Sequence, residues 1–135
     1  MADPTAVDIA TRADVERARR EARRLAVAIG FDRNDAERVT LAVSELATNL
    51  LRYARQGRIV ATAITGRRGA GVEIESRDAG PGIPDVERAL RNGYSTGNGL
   101  GGGLPGVVRL MDEVEIHSDA SGTRITARKW LIPTS

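Results

Sequence analysis

The sequence contains no cysteine, which excludes disulfide bonds, thiolate metal sites and cysteine nucleophiles. Aromatic residues are also scarce, at 3% of the chain. The core must therefore be built from Ala, Val, Leu and Ile, and a surface that binds nucleic acid by stacking bases on aromatic rings is disfavoured. The 20 basic and 18 acidic residues leave a formal net charge of only +2. No strong electrostatic field therefore draws the chain to nucleic acid or to a membrane.

Long apolar segments are missing as well. The longest apolar stretch, residues 25–31, is far shorter than the roughly 18 residues that a membrane span requires. The first 30 residues are rich in Arg, Asp and Glu and contain no apolar core of a signal peptide. We therefore expect a cytoplasmic protein without a membrane partner. A length of 135 residues with 41% hydrophobic and 28% charged residues predicts one folded domain over residues 1–135.

Hydrophobic periodicity predicts the element order α-α-β-β-α-α-β-β. This order is typical of an α+β two-layer sandwich, with helices packed on one face of a four-stranded mixed sheet. The pattern leaves the pairing direction between the two hairpins open. The expected helices cover residues 11–30, 34–54, 85–91 and 105–112, and the expected strands cover residues 58–65, 72–77, 114–118 and 123–130.

The second predicted helix carries a polar pair away from its apolar stripe. Glu45 and Asn49 are four residues apart, so their side chains stack on one helix face. A carboxylate and a carboxamide one turn apart can provide a proton acceptor and a hard oxygen ligand for phosphate-bound Mg²⁺. An exposed polar face of a structural helix would contain the same two residues, so the pair alone does not decide between the two interpretations.

The turn that follows the second predicted strand contains residues that could bind a ligand. Asp78 closes a predicted strand and is followed by Gly80 and Gly82. Its carboxylate can accept a hydrogen bond from an exocyclic amine, and the glycines let the backbone approach a flat ring. Asp, Gly and Pro are also the usual residues of a plain turn, and the two interpretations are equally supported by this segment.

The strongest local signal is the glycine-rich segment 97–104, which leads directly into a predicted helix. Its backbone N–H groups can converge on an anion at a helix N-terminus, which favours a phosphate site. Gly97, Gly99 and Gly102 also match the dinucleotide fingerprint formally, with Asp119 at the expected distance. No strand precedes these glycines, however, and no Gly-Lys-Ser/Thr ends the loop, so Rossmann and Walker A sites are excluded. We interpret the single histidine, His117, as structural.

Together and in this order, the three elements resemble the GHKL superfamily of ATPases and kinases, whose fold is the Bergerat ATP-binding sandwich. The segment 45–49 resembles its N-box, 78–82 its first glycine box and 97–104 its second, and the Gly122-Thr123 pair fits as well. More narrowly, the segments 93–96, 104–107, 109–113 and 129–131 resemble the RsbT-type switch serine/threonine kinases of bacterial partner-switching stress modules.

The resemblance implies ATP and Mg²⁺ as cofactors and assigns a role to each matching residue. Glu45 would act as general base, Asn49 would hold Mg²⁺, and Asp78 would receive the adenine amino group with support from Thr123. Tyr53 stands where relatives often carry His, which leaves Arg52 as a candidate for a γ-phosphate contact. The remaining nucleotide-binding residues implied by the two glycine boxes are Gly80, Gly82, Gly99, Leu100, Gly101, Gly102 and Gly103.

The resemblance also implies protein partners. The expected phosphate acceptor is a serine or threonine of a small STAS-domain antagonist, and the released kinase would activate a phosphatase regulator. A homodimer is left open. Two alternatives remain: an anti-sigma factor kinase that sequesters a sigma factor, and a nucleotide-gated binding switch whose catalysis is incidental.

Overall fold

The computed structural model describes residues 4–54, 56–67, 69–79 and 103–131, which form an open sheet of five strands with three helices on one face. This confirms the α+β two-layer sandwich. The short helix predicted at 85–91 lies outside the described residues. The strands are β1 (Thr5–Ile9), β2 (Gly57–Gly66), β3 (Gly69–Asp78), β4 (Glu113–Asp119) and β5 (Gly122–Trp130), and the helices are α1 (Arg12–Ile29), α2 (Arg33–Tyr53) and α3 (Gly103–Leu110).

The sheet differs from the prediction in the number of its strands. The unpredicted strand, β1, has only five residues and pairs at the edge with β2, where Val7 lies opposite Ile59. Only Val7 and Ile9 of this strand are buried. Two inward-facing apolar residues in a polar stretch are too weak a period-two signal to predict a strand from sequence.

The sheet is antiparallel in all its described pairs rather than mixed, because β5 and not β4 lies next to β3 in the order β1-β2-β3-β5-β4. β4 runs in the same direction as β3, so it would have formed a parallel pair in that position. β5, which is longer than β4, lies between β3 and β4 and is buried on both faces, with Thr126 and Trp130 buried on the side away from the helices. A strand buried on both faces is stabilised most in the middle of a sheet.

Both long helices begin at side-chain caps. The Asp14 backbone N–H donates to Thr11 Oγ1 at 3.3 Å, and the Asp14 carboxylate accepts from the Ala10 and Thr11 backbone N–H groups at 2.9 Å. These backbone hydrogen bonds hold the pKa of Asp14 below its usual value. For α2 the cap is Asp32, whose Oδ1 accepts from the Asp35 N–H at 2.8 Å, so the helix starts slightly before the predicted Asn34.

The core lies between the sheet and the helices and uses small aliphatic side chains, as the scarcity of aromatics predicts. Ala22, Ala26, Ala42 and Ala47 have no exposed surface, which lets α1 and α2 approach each other closely. The largest fully buried side chains include Leu46 of α2 and Ile59 and Ile74 of the sheet. No helix in the described residues is long and apolar enough to cross a membrane.

On the open face of the sheet, Trp130 packs directly on glycine backbone. Its indole N–H donates to Glu113 Oε2 at 2.6 Å, and only 9% of the residue is exposed. A Cβ atom at Gly71 would lie 2.7 Å from both the Lys129 carbonyl oxygen and Trp130 Cε3. The glycine at this position is therefore required by the ring that covers it.

We expect Gly71→Ala to lower the free energy of unfolding by about 1–3 kcal/mol, because an added methyl group in a filled space forces neighbouring atoms to shift. Urea unfolding followed by far-UV circular dichroism measures this change. The control is Gly106→Ala in α3, where the new Cβ would approach nothing nearer than 3.9 Å and should be neutral or stabilising. Equal stability of both variants would contradict the packing argument.

Candidate active site

The α2 helix presents Glu45 and Asn49 one turn apart, at the border of its buried face. Val39, Val43 and Leu46 point into the core with at most 1% exposure. Glu45 and Asn49 are both half-buried, in contrast to the exposed Arg38 and Arg52 on the same polar side. The pair is thus partly shielded from water, which strengthens the interactions of a carboxylate and an amide with a bound charge.

Two ion pairs show how this face is oriented. Glu37 of α2 accepts from Arg23 of α1 at 2.9 Å, which marks the side of α2 that faces α1. Asp35 of α2 lies 3.8 Å from Lys129 Nζ of β5, which marks the opposite side. At about 100° per residue, Asn49 lies about 40° around the helix from Asp35 and about 120° from Glu37. Asn49 therefore lies on the side away from α1.

The α3 helix also contacts α2. Lys129 Nζ also lies 3.7 Å from Asp112 Oδ1, and Asp112 Oδ2 accepts from the Trp130 backbone N–H at 2.8 Å. Because Asp112 follows the last turn of α3, the end of α3 lies beside the beginning of α2, near Asp35. Gly103 is the first residue of α3, at the opposite end of this helix.

The end of β3 brings Asp78 beside Thr123, the first inward-facing residue of β5. The two residues are direct partners in the antiparallel ladder, and their side chains point to the face covered by the helices. Thr123 is 7% exposed and Asp78 is half-buried. Ser118 of β4 lies opposite Thr123 on its other side, with 3.0 Å between the two hydroxyl oxygens. A carboxylate and two hydroxyls thus form one polar row across three strands.

Gly122 sets how closely these strands approach. It has a φ of +149°, and a Cβ atom there would lie 2.0 Å from the Asp78 carbonyl oxygen and 3.0 Å from its carbonyl carbon. No side chain fits into that space. The turn that precedes Thr123 is therefore pressed against the backbone of Asp78, and the position of the Asp78 carboxylate depends on the glycine.

Two other residues that the sequence singled out have local structural roles. The Asp119 carboxylate accepts from the Ser121 hydroxyl at 2.6 Å and from the Ser121 backbone N–H at 2.8 Å, and these hydrogen bonds lower the pKa of Asp119. Asp119 therefore holds the β4–β5 turn, as an Asx turn does. His117 is exposed opposite Arg124. The described residues contain no group of three or more His, Asp or Glu side chains that could hold a metal ion.

The structure brings the predicted residues together in pairs. Glu45 and Asn49 share one face of α2, Asp78 and Thr123 are ladder partners, and Gly103 begins α3. Sequence reasoning missed the contact of Ser118 with Thr123 and that of Gly122 with Asp78, because both contacts depend on which strands pair. The only local signal in the sequence was the turn at residues 119–122. The remaining glycine-box positions, which lie outside the described residues, are Gly80, Gly82, Gly99, Leu100, Gly101 and Gly102.

The sequence and the fold both match known proteins. Residues 9–129 match the family of histidine kinase-like ATPase domains. The chain is 46% identical over 132 residues to the serine/threonine-protein kinase RsbT of Bacillus subtilis, which covers 97% of this chain and 99% of the relative.

Two solved structures share the fold at lower sequence identity. The RsbU and RsbW domains of Rv1364c from Mycobacterium tuberculosis match with a TM-score of 0.68 and 23% identity, over 99% of this chain and about a third (34%) of that one. The histidine kinase domain of the blue-light activated histidine kinase EL346 from Erythrobacter litoralis matches with a TM-score of 0.52 and 19% identity, over 87% of this chain and 63% of that one. At these identities the two structures establish the fold alone.

Proposed function

The chain belongs to the family of histidine kinase-like ATPase domains and is a serine/threonine-protein kinase of the RsbT type, and we propose that it transfers the γ-phosphate of ATP to a serine or threonine of a STAS-domain antagonist. The observation that carries this proposal is the 46% identity to RsbT over nearly the whole of both chains. It is supported by the half-buried Glu45 and Asn49 pair on α2. In the same proposal, the kinase released from the antagonist activates a phosphatase regulator.

The nucleotide base would lie at the end of β3. The Asp78 carboxylate accepts hydrogen bonds only, so it selects a ring with an exocyclic amine, as adenine has. The Thr123 hydroxyl lies next to it in the ladder and is held by Ser118 at 3.0 Å. A hydroxyl whose partner is already in place needs little reorganisation when the base binds. This row therefore supports adenine as the base.

The phosphates would lie at the other end of the site, beside α2 and the N-terminus of α3. Backbone N–H groups at the start of a helix attract anions, and Gly103 occupies that position in α3. The donor set fits Mg²⁺, because this ion prefers hard oxygen ligands, keeps most of its waters and needs only one or two protein ligands. Asn49 would supply its side-chain oxygen. The ion, when bound, would neutralise charge on the phosphates.

Glu45 would receive the proton in the transfer step. The hydroxyl oxygen of the acceptor forms a bond to the γ-phosphorus, the bond to the bridging oxygen of ADP breaks, and the hydroxyl proton passes to the Glu45 carboxylate. Phosphoryl transfer needs positioning and electrostatic stabilisation more than covalent help from the protein. One base, one metal ligand and a set of backbone N–H groups are therefore a sufficient set.

The test of this proposal is transfer of radiolabel from γ-labelled ATP. The full chain is incubated with labelled ATP, Mg²⁺ and a STAS-domain protein from the same genome, and labelled serine or threonine on that protein is the expected result. Recovery of a sigma factor, rather than the antagonist and a phosphatase, in a pull-down would favour the anti-sigma alternative. A protein that binds ATP but labels no cognate STAS domain would overturn the proposal. The single domain, a cytoplasmic location and the absence of nucleic-acid and membrane partners stay predictions.

We expect Ser118→Ala to weaken ADP binding by at most about fivefold, because Thr123 loses the hydrogen bond that holds its hydroxyl in place before the base binds. Isothermal titration calorimetry with ADP and Mg²⁺ measures the affinity. Ser118→Thr keeps a hydroxyl at the same position and should recover most of the loss. Equal affinities of the Ala variant and the wild type would mean that Thr123 does not need this partner.

A further inference from the structure

The open face of the sheet carries a row of cations at the end where β3 stops. Arg58 lies opposite Arg77, Arg77 opposite Arg124, and Arg124 opposite His117, on four neighbouring strands. Their ladder neighbours Ile59 and Ser76 are buried on the helix side, so the four side chains point away from the helices. At about 4.8 Å per strand the row is about 14 Å long. All four residues are exposed, and together we name them the basic row.

The basic row is only partly neutralised within the protein. Arg58 Nε donates to Asp8 Oδ1 at 2.8 Å, and Arg77 Nε donates to Glu75 of its own strand. Arg124 has no ion-pair or hydrogen-bond partner among the described residues. Like charges directly opposite each other repel across a sheet. Three arginines on successive strands therefore form a site where an added negative charge is favourable.

The row borders a recess at the same end of the sheet. A cavity of about 720 Å³ opens between the end of α2 and the ends of β1, β2 and β3, and both Arg58 and Arg77 line it. None of the proposed nucleotide residues Glu45, Asn49, Asp78 and Thr123 lines this cavity. It is therefore distinct from the described part of the candidate active site. Among the described residues, its apolar lining consists of Ile9, Ala10, Leu50, Leu51 and Ala54.

We propose that the basic row and this recess dock an acidic segment of a partner protein. Carboxylates of the segment pair with Arg77 and Arg124, and an apolar side chain enters the recess. The proposal does not rest on the kinase assignment, because no catalytic or nucleotide-binding residue takes part. Salt bridges at an exposed rim set the rate and specificity of association, while the buried apolar group holds the complex.

The neighbouring rows favour a protein over a nucleic acid. Two residues along each strand, on the same face, Glu75 and Glu115 flank Thr126, so negative charge is favourable on the row itself and unfavourable beside it. Single-stranded nucleic acid also needs aromatic side chains for base stacking. The only tryptophan of the chain, Trp130, is 9% exposed and packed on Gly71.

The test uses a fluorescein-labelled 12-residue peptide of alternating glutamate and leucine, with fluorescence anisotropy at low salt. We expect the full chain to bind it, and Arg77→Glu/Arg124→Glu to bind it at least tenfold more weakly. Arg12→Glu/Arg20→Glu on the exposed side of α1 is the matched control, because it makes the same change in net charge. That variant should keep most of the affinity.

Three further probes separate the outcomes. A peptide with serine in place of leucine should bind more weakly if the recess takes an apolar side chain, and a 12-nucleotide oligothymidine should not bind through the row. Calorimetry with ADP and Mg²⁺ on the row variant should give the wild-type affinity, which keeps this test separate from that of the kinase. No peptide binding by the wild type, equal losses in both double variants, or row-dependent binding of the oligonucleotide would each overturn the proposal.

Discussion

Glu45→Gln is expected to lower the rate of phosphoryl transfer about 10²- to 10⁴-fold, the usual contribution of a general base, while ADP affinity changes no more than about threefold. The amide has the shape of the carboxylate but cannot accept the acceptor's proton at neutral pH. The backbone of residue 45 on α2 is held in place by Leu46 and Val43, which are buried in the core. The measurement is the initial rate of label transfer at saturating ATP, paired with calorimetry on the same preparation.

The matched control for this prediction is Glu37→Gln on the same helix. Glu37 is exposed and pairs only across the surface with Arg23 of α1, and such pairs contribute little. This variant should transfer label at close to the wild-type rate. A Glu45→Gln protein that is fully active would exclude Glu45 as the base. A variant that has lost ADP binding as well would show that Glu45 acts in binding the nucleotide.

The helices were the part of the fold that the sequence predicted best. The pattern predicted a first helix over residues 11–30, and the structure has α1 at Arg12–Ile29 with its N-cap at Thr11. A helix of eighteen residues repeats its apolar period about five times, and Gly30, with a φ of +117°, ends it. Such local signals lie within one segment of the chain, so they can be read without knowing its neighbours.

The strands were predicted less completely because their signals depend on neighbours. β1 has only two buried residues, and the place of β5 beside β3 depends on contacts between distant segments of the chain. Strand order and pairing direction are tertiary properties. The four-stranded mixed sheet was therefore a reasonable prediction from local patterns and was wrong in detail.

Of the candidate site, too, the sequence predicted the parts that depend on local spacing and not those that depend on strand pairing. Glu45 and Asn49 could be placed on one face from their spacing, since four residues make one helical turn. Thr123 lies 45 residues beyond Asp78 in the sequence, and only the resemblance linked the two; the ladder places them side by side. The positions of Ser118 and Gly122 relative to Asp78 could not be derived from spacing at all, because they depend on which strand lies next to β3.

The second large effect is expected at Gly122, where Ala should lower the free energy of unfolding by about 3–5 kcal/mol. Two costs add: a Cβ atom 2.0 Å from the Asp78 carbonyl oxygen forces the strand ends apart, and a φ of +149° is unfavourable for any side chain. Urea unfolding measures the loss. In the fraction that stays folded at low temperature, ADP binding should also weaken, because the Asp78 backbone must move.

The control for Gly122→Ala separates the cost of a positive φ from the cost of steric overlap with neighbouring atoms. Gly69, the first residue of β3, also has a positive φ of +92°, but a Cβ there would lie 3.9 Å from the nearest atom, the Leu131 carbonyl oxygen. Gly69→Ala should therefore cost only the conformational part, about 1 kcal/mol, and leave ADP affinity unchanged. If both variants lose the same stability and bind ADP equally well, close contact between Gly122 and Asp78 does not position the carboxylate. A larger loss confined to Gly122→Ala means that the strand contact itself holds the base-binding end of the site.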